Sequence, residues 1–164
     1  MLATAVVAAS SLVVACGDQK RESATVGWVV DGDTLKLADG DRVRLLQIDT
    51  PEMGEGECYA ESAKRELIRL APRGTRVQLE ADPDLDREDR YGRLLRYVHT
   101  EGMNVNVELV RRGAAAPYFH SGERGAYASD LLAVVEDARR ARRGMWGDCR
   151  VTWRPDALVD TRSR

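Results

Sequence analysis

Residues 31–52 read DGDTLKLADGDRVRLLQIDTPE, two short apolar segments on either side of Asp39-Gly40. The first segment alternates apolar and polar residues, and the second is also strand-like. An Asp-Gly pair between two such segments is typical of a tight β-hairpin. Because a hairpin brings its open ends together, we expect Asp33 and Asp49 to lie side by side.

Two neighbouring carboxylates repel each other unless a cation lies between them or solvent separates them. Carboxylates completed by a backbone carbonyl and water are the ligands of a hard divalent ion, and they suit calcium better than magnesium. The alternative is that Asp33 and Asp49 are unrelated turn residues. Arg44 and Glu52 favour the cation site, because a cation, an arginine and a further carboxylate are the groups that phosphoryl transfer requires.

Three motifs follow one another along the chain: DGDT at residues 31–34, RLLQIDTPE at residues 44–52 and DRYGR at residues 89–93. In this order they resemble the thermonuclease family, whose best-known member is staphylococcal nuclease. The resemblance covers about residues 24–149. It implies an OB-type barrel and a calcium-dependent nuclease.

The resemblance also implies a role for individual residues. Asp33 and Asp49 would bind Ca²⁺ through their side chains, and Thr50 would bind it through its backbone carbonyl oxygen. Glu52 would position or deprotonate the attacking water. Arg44 and Arg93 would bind the scissile phosphate and stabilise the charge that develops on it.

Substrate contacts are implied for Arg90, Tyr91 and Tyr118, which would bind flanking phosphates of the strand. The implied reaction cuts DNA or RNA, preferably single-stranded or frayed, and leaves 3′-phosphate ends. A binder of nucleic acid that relies on its overall field would be basic, whereas this chain has a net charge of −2. We therefore expect affinity for phosphate to come from a local site.

Two other functions remain open at this point. One is a non-catalytic OB module that binds nucleic acid or a protein partner. The other is a surface lipoprotein whose domain serves interactions of the cell envelope, which the modest negative charge would fit. The joint presence of two aspartates, Glu52, Arg44 and Arg93 favours the enzyme.

The N-terminus resembles an export signal. Residues 1–15 are uncharged and apolar, too few to span a bilayer and typical of a secretory h-region. The residues Val13-Val14-Ala15-Cys16 resemble a bacterial lipoprotein cleavage site, so Cys16 would carry lipid and anchor the protein on the outer face of the cell membrane. No basic segment precedes them, and the alternative is an ordinary signal peptide with secretion.

Two further cysteines, Cys58 and Cys149, remain after Cys16. An even pair in an exported protein predicts a disulfide, and two buried free thiols are the alternative. The only histidines are His99 and His120, for which we expect surface or structural roles. No Cys/His cluster has the spacing of a zinc site.

Pattern alone predicts an α+β chain with five strands and three helices. The strands are expected at residues 26–30, 34–37, 43–48, 75–80 and 91–99, and the helices at 58–70, 104–112 and 123–143. A five-stranded OB-type Greek-key barrel with three helices fits this order. The 164 residues fit one domain, with a signal peptide and tether at 1–23, the barrel domain at 24–149 and a polar tail at 150–164. We expect a monomer.

Overall fold

The computed structural model describes residues 21–164. The predicted signal peptide and Cys16 lie outside the described residues. Within the described part, no helix is both long enough and apolar enough to cross a membrane.

Ten strands and four α-helices make up the fold of the described residues. The strands are β1 (Glu22–Val29), β2 (Thr34–Leu37), β3 (Arg42–Leu45), β4 (Ile48–Asp49), β5 (Arg76–Glu80), β6 (Leu94–Thr100), β7 (Met103–Asn104), β8 (Ala116–Pro117), β9 (Cys149–Thr152) and β10 (Asp160–Ser163). The helices are α1 (Ala60–Leu70), α2 (Val105–Arg111), α3 (Ala128–Arg140) and the single turn α4 (Met145–Asp148).

Five strands close into a barrel in the order β3-β2-β1-β5-β6. Neighbouring strands are antiparallel, and the barrel closes through a parallel pairing of β3 with β6. Alternation along each strand places apolar side chains such as Val43 and Leu45 inside the barrel. This mixed barrel with three main helices confirms the predicted α+β fold of OB type.

The predicted hairpin is also present, because β2 and β3 pair antiparallel around Asp39-Gly40 with Thr34 opposite Arg44. The predicted strand at 43–48 is interrupted, however. Gln47 has a left-handed backbone, with φ of 58°, so the chain turns out of the barrel and continues as β4. Strand β4 then pairs with β8, and Ile48 lies opposite Pro117.

Both ends of the folded domain extend beyond the predicted limits. Strand β1 begins at Glu22, before the predicted strand at 26–30 and the predicted domain limit at 24, since Glu22–Thr25 pair with residues 76–79 of β5. At the other end, β9 and β10 form an antiparallel hairpin where a polar tail was expected. Val159 and Thr161 of this segment are 4% and 2% exposed. The C-terminal hairpin is therefore part of the folded body.

The predicted disulfide between Cys58 and Cys149 is present, with the two Cα atoms 6.0 Å apart. It joins the loop before α1 to the first residue of β9. The main core lies between the barrel and helices α1, α2 and α3, and a smaller apolar cluster surrounds Met145 and Val159. The bridge thus holds the C-terminal hairpin against the part of the chain that follows β4.

Candidate active site

Asp33 and Asp49 converge on a single guanidinium group. Nη2 of Arg44 lies 3.0 Å from Oδ2 of Asp33 and 3.0 Å from Oδ1 of Asp49. Asp33 immediately precedes β2, and Asp49 is the last residue of β4. The hairpin therefore brings the two carboxylates together as its geometry predicts.

The position of Arg44 follows from strand alternation. Its neighbours Val43 and Leu45 point into the core, so the Arg44 side chain lies on the outer face of β3. Its Nη1 group donates to the carbonyl oxygens of Leu45, at 3.0 Å, and Ile48, at 2.8 Å. Three hydrogen bonds and the ion pair with Asp33 thus hold this guanidinium in one orientation.

Hydrogen bonds from neighbouring residues orient the two aspartates. Thr50 donates to Oδ2 of Asp33 from its backbone N–H, at 3.2 Å, and from its hydroxyl, at 3.1 Å. The backbone N–H of Val159, in the C-terminal hairpin, donates to Oδ2 of Asp49 at 2.9 Å. Both carboxylates are consequently fixed by atoms distant in sequence.

Burial dominates the electrostatics of this site. It raises the pKa of Asp33 to about 7, although Arg44 opposes the shift. Burial also raises the pKa of Asp49, again against the effect of Arg44. Glu52 is less buried, and its pKa is raised by desolvation and then by the charge of Asp49. A bound cation would favour the ionised form of all three groups.

The motif at residues 89–93 forms a loop before β6 that Asp89 organises. Its Oδ1 accepts hydrogen bonds from the backbone N–H groups of Tyr91, at 2.9 Å, and Arg93, at 3.0 Å, and its Oδ2 accepts one from Nε of Arg93 at 2.6 Å. Burial would raise the pKa of Asp89, but these hydrogen bonds from Arg93 and Tyr91 outweigh it and lower the pKa. Arg93 was expected within the fifth strand and instead precedes it, held by Asp89.

The predicted substrate residues lie close to this loop. The ring of Tyr91 is 68% exposed, with the guanidinium carbons of Arg90 and Arg93 at 4.8 and 5.6 Å from its centroid. Tyr118 follows β8, and its hydroxyl group lies 3.2 Å from Nδ1 of His120. Two guanidiniums beside an exposed ring provide both charge and a flat surface.

One cavity of about 720 Å³ joins these groups. Its lining includes all the predicted catalytic and substrate-binding residues and both aspartates, namely Asp33, Arg44, Asp49, Glu52, Arg90, Tyr91, Arg93 and Tyr118. Thr50 is only 3% exposed and lies beneath Asp33. The structure therefore brings the predicted side chains to one place, with Thr50 behind them.

The oxygen donors suit a hard cation. Asp31 and Glu52 line the same cavity as the two converging aspartates, so the available side-chain ligands are carboxylates, which calcium prefers. Among residues 21–164, no three acidic, histidine or cysteine side chains are grouped closely enough to hold a metal ion by themselves. An ion bound by the two aspartates would thus need carbonyl oxygen and water to complete its shell.

Several residues of the site were not predicted from the sequence. Asp89, Leu158 and His120 line the cavity, and Val159 contacts Asp49. Asp89 could have been found, because an aspartate before a Tyr-Gly turn often binds backbone N–H groups. Val159 acts through its backbone, which has no signature in the sequence.

The sequence is similar to a family model and to several bacterial endonucleases. Residues 42–148 match the family model described as staphylococcal nuclease homologue. The chain is 34% identical over 129 residues to the SPbeta prophage-derived endonuclease YokF of Bacillus subtilis, which covers 74% of this chain and 43% of YokF. Endonuclease YncB of the same organism is 32% identical over 135 residues, which covers 78% of this chain and 63% of YncB.

An uncharacterized endonuclease of Escherichia coli O157:H7 is 35% identical over 126 residues, covering 73% of this chain and 74% of that protein. The match to the two Bacillus proteins, in contrast, spans less than two thirds of their length. The family match includes β3, the 89–93 loop and helices α1 to α3, and therefore most of the cavity described above. The chain belongs to the family of staphylococcal nuclease homologues.

Proposed function

We propose that this protein is a calcium-dependent nuclease that hydrolyses phosphodiester bonds of DNA and RNA and leaves 3′-phosphate ends. The observation that carries the proposal is the convergence of Asp33 and Asp49 on Arg44, in one cavity with Glu52 and Arg93. Two ion-binding carboxylates, a further carboxylate and two guanidiniums are the groups required to neutralise a phosphoryl oxygen and activate water. Family membership and the similarity to two endonucleases support the same reaction class.

In the proposed mechanism, Asp33, Asp49 and the carbonyl oxygen of Thr50 would hold calcium. Bound calcium supplies Lewis-acid polarisation of the phosphate and a template for the attacking water. The Nη2 group of Arg44, which lies beside both aspartates, would donate hydrogen bonds to the scissile phosphate. Arg44 thus serves as a ligand of the substrate as well as a partner of the carboxylates.

Glu52 and Arg93 act on opposite parts of the reaction. Glu52 is exposed to the cavity, and its raised pKa makes it a better acceptor for a proton of the attacking water. Arg93 donates hydrogen bonds to the phosphoryl oxygens, where negative charge increases in the transition state. The leaving group is the 5′ oxygen of the next nucleotide, so the phosphate stays on the 3′ oxygen.

A single strand is the substrate that these surfaces favour. Arg90 and Tyr91 would contact one flanking phosphate, and Tyr118 another. With a net charge of −2, the protein has no general attraction for a duplex. Binding therefore depends on the local cations and on exposed rings, which a base can reach only when it is unpaired.

Export is part of the proposal. The Cys58–Cys149 disulfide favours an oxidising compartment, as does the apolar segment at the N-terminus. We propose that Cys16 carries lipid and anchors a monomeric enzyme on the outer face of a bacterial cell membrane. The mass of the mature N-terminus tests this, because a lipid-modified Cys16 is heavier than an unmodified residue, and an unmodified N-terminus indicates secretion.

Digestion of heat-denatured DNA tests the reaction itself. With calcium we expect rapid degradation, and with an excess of chelator we expect none. The products should accept phosphate at their 5′ ends directly but should resist a 3′ exonuclease until a phosphatase removes their 3′ phosphate. Absence of degradation under both conditions would favour a non-catalytic OB module.

A further inference from the structure

The C-terminal hairpin reaches the active-site cavity at Leu158. The family match ends at residue 148, so this segment lies beyond it. Leu158 is 57% exposed and lines the cavity that contains Arg44 and Glu52. An exposed leucine next to charged catalytic groups has no role in the mechanism described above.

The backbone around Leu158 is firmly held. The next residue, Val159, is buried and donates its N–H to Oδ2 of Asp49 at 2.9 Å. On the other side, the carbonyl oxygen of Pro155 accepts the N–H of Phe119 at 2.7 Å. Nε1 of Trp153 donates to the carbonyl oxygen of Pro117 at 2.7 Å. Leu158 is adjacent in sequence to Val159, whose N–H orients Asp49.

Exposed apolar surface is concentrated at this cavity. In the part of the chain that the structure describes, four large hydrophobic residues are exposed to solvent: Trp28, Ile68, Tyr91 and Leu158. Two of the four, Tyr91 and Leu158, line the same cavity. Apolar groups left in water at a binding cavity gain free energy when an apolar part of the ligand covers them.

We infer that Leu158 is a nucleobase-contacting residue of the substrate groove, so that the C-terminal hairpin forms one wall of the binding site. In a nucleotide strand the base is the large apolar part, because the sugar and phosphate are polar. The inference rests on the proposed function, since it concerns the strand that this cavity would bind. It predicts that Leu158 contributes to the affinity for a strand that carries bases and does not contribute to the affinity for the sugar-phosphate backbone alone.

Binding of two fluorescently labelled oligonucleotides in calcium tests this inference. Both have a phosphorothioate backbone, which slows hydrolysis. One carries thymine on every sugar, and the other has abasic sugars throughout. Leu158→Ala should weaken binding of the thymine strand about fivefold and leave binding of the abasic strand unchanged. Leu158→Phe should bind the thymine strand more tightly than wild type.

Ile68→Ala is the matched control, because Ile68 is also an exposed aliphatic residue, at 42%, but lies on α1. It should bind both strands as wild type does. Equal binding of the thymine strand by wild type and Leu158→Ala would overturn the inference, as would equal weakening for both strands, which would indicate contact with the sugar or phosphate. Failure of wild type to bind the thymine strand would also overturn it. Failure of wild type to hydrolyse unmodified DNA would reject the proposed function and leave this binding comparison interpretable.

Discussion

Arg44 and Arg93 lie at the same cavity but have different surroundings. Arg44 is bound to two carboxylates and two carbonyl oxygens, so its side chain is part of the framework. Arg93 is 27% exposed and pairs with Asp89 through Nε. Under the proposed mechanism its Nη groups would donate to the phosphate as charge accumulates, so we expect the two arginines to respond differently to substitution.

Arg93→Ala should lower kcat by about 10²–10³, because that is the usual cost of losing one donor to the transition state. The midpoint of thermal unfolding should stay close to that of wild type, since Arg93 lies in a loop at the surface. Initial rates on denatured DNA and a thermal unfolding curve measure both quantities. Arg76→Ala removes an exposed arginine from β5 and serves as the control, and a near-native rate for Arg93→Ala would contradict the assigned role.

Asp33 should make stability depend on pH when no cation is bound. Burial raises its folded-state pKa from 3.8 to about 7, so the folded protein keeps a proton that the unfolded chain releases. The folded state therefore binds more protons in this range, and the free energy of unfolding in chelator should fall as pH rises from about 4 to 7. Denaturant unfolding at several pH values measures the slope.

The isosteric variant Asp33→Asn separates this effect from others. Because an amide does not titrate, the variant should show a shallower pH slope in chelator, with the remainder contributed by Asp49, whose pKa burial also raises. Calcium should bind wild type more tightly as pH rises through about 7, since the ion selects the carboxylate. A pH-independent calcium affinity, or an unchanged slope in Asp33→Asn, would refute the assignment of this proton to Asp33.

At the residue level, the sequence allows prediction wherever a local rule places a side chain. Asp33, Arg44 and Asp49 follow from hairpin geometry and strand alternation, and the structure places them together. Gln47 and Val159 do not follow from such rules. The left-handed backbone at Gln47 is imposed by tertiary contacts, and any residue except proline could supply the N–H of Val159.

Among the elements, the C-terminal segment around β9 and β10 supplies a backbone hydrogen bond to Asp49 and places Leu158 in the cavity lining. It was expected to be a polar tail, since residues 150–164 show no regular alternation of apolar and polar residues. Its attachment depends on backbone hydrogen bonds, on the buried residues Val159 and Thr161 and on the disulfide at Cys149. None of these produces a hydrophobic periodicity, so pattern reasoning could not detect the element.

Val159→Pro should weaken calcium binding about tenfold, because it removes the N–H that Asp49 accepts and leaves a buried oxygen unpaired, at a cost of about 1–3 kcal/mol. Calorimetric titration with calcium measures the affinity. Val159→Ala keeps the N–H and loses only apolar contact, so it should lower thermal stability and bind calcium nearly as wild type does. Equal calcium affinities in all three proteins would show that the hairpin does not orient Asp49.

Removal of the disulfide tests how far the hairpin depends on its covalent attachment. The double variant Cys58→Ser/Cys149→Ser should lose about 2–5 kcal/mol in the free energy of unfolding, as is typical for loss of a native bridge. Denaturant unfolding of wild type with and without a reductant provides the comparison. A double variant as stable as oxidised wild type would contradict this expectation.

In the whole molecule, the strand pairing that closes the barrel also brings the two arginines of the site together. The pairing of β3 with β6 closes the barrel and brings the loop of Arg93 beside the strand of Arg44. Strand positions and the fold class could be predicted from periodicity, turn residues and family resemblance, and the disulfide from an even pair of cysteines beside an export signal. The interruption after β3, the N-terminal extension of β1 and the C-terminal hairpin could not, because they depend on pairing between distant segments.

The rate of hydrolysis of heat-denatured DNA as a function of free calcium tests the central claim most directly. We predict that the wild-type rate rises to saturation with calcium, and that Asp49→Asn requires much more calcium to reach half of its own maximal rate. A wild-type rate that is unchanged by chelator, or an Asp49→Asn curve that coincides with that of wild type, would contradict a calcium site at Asp33 and Asp49.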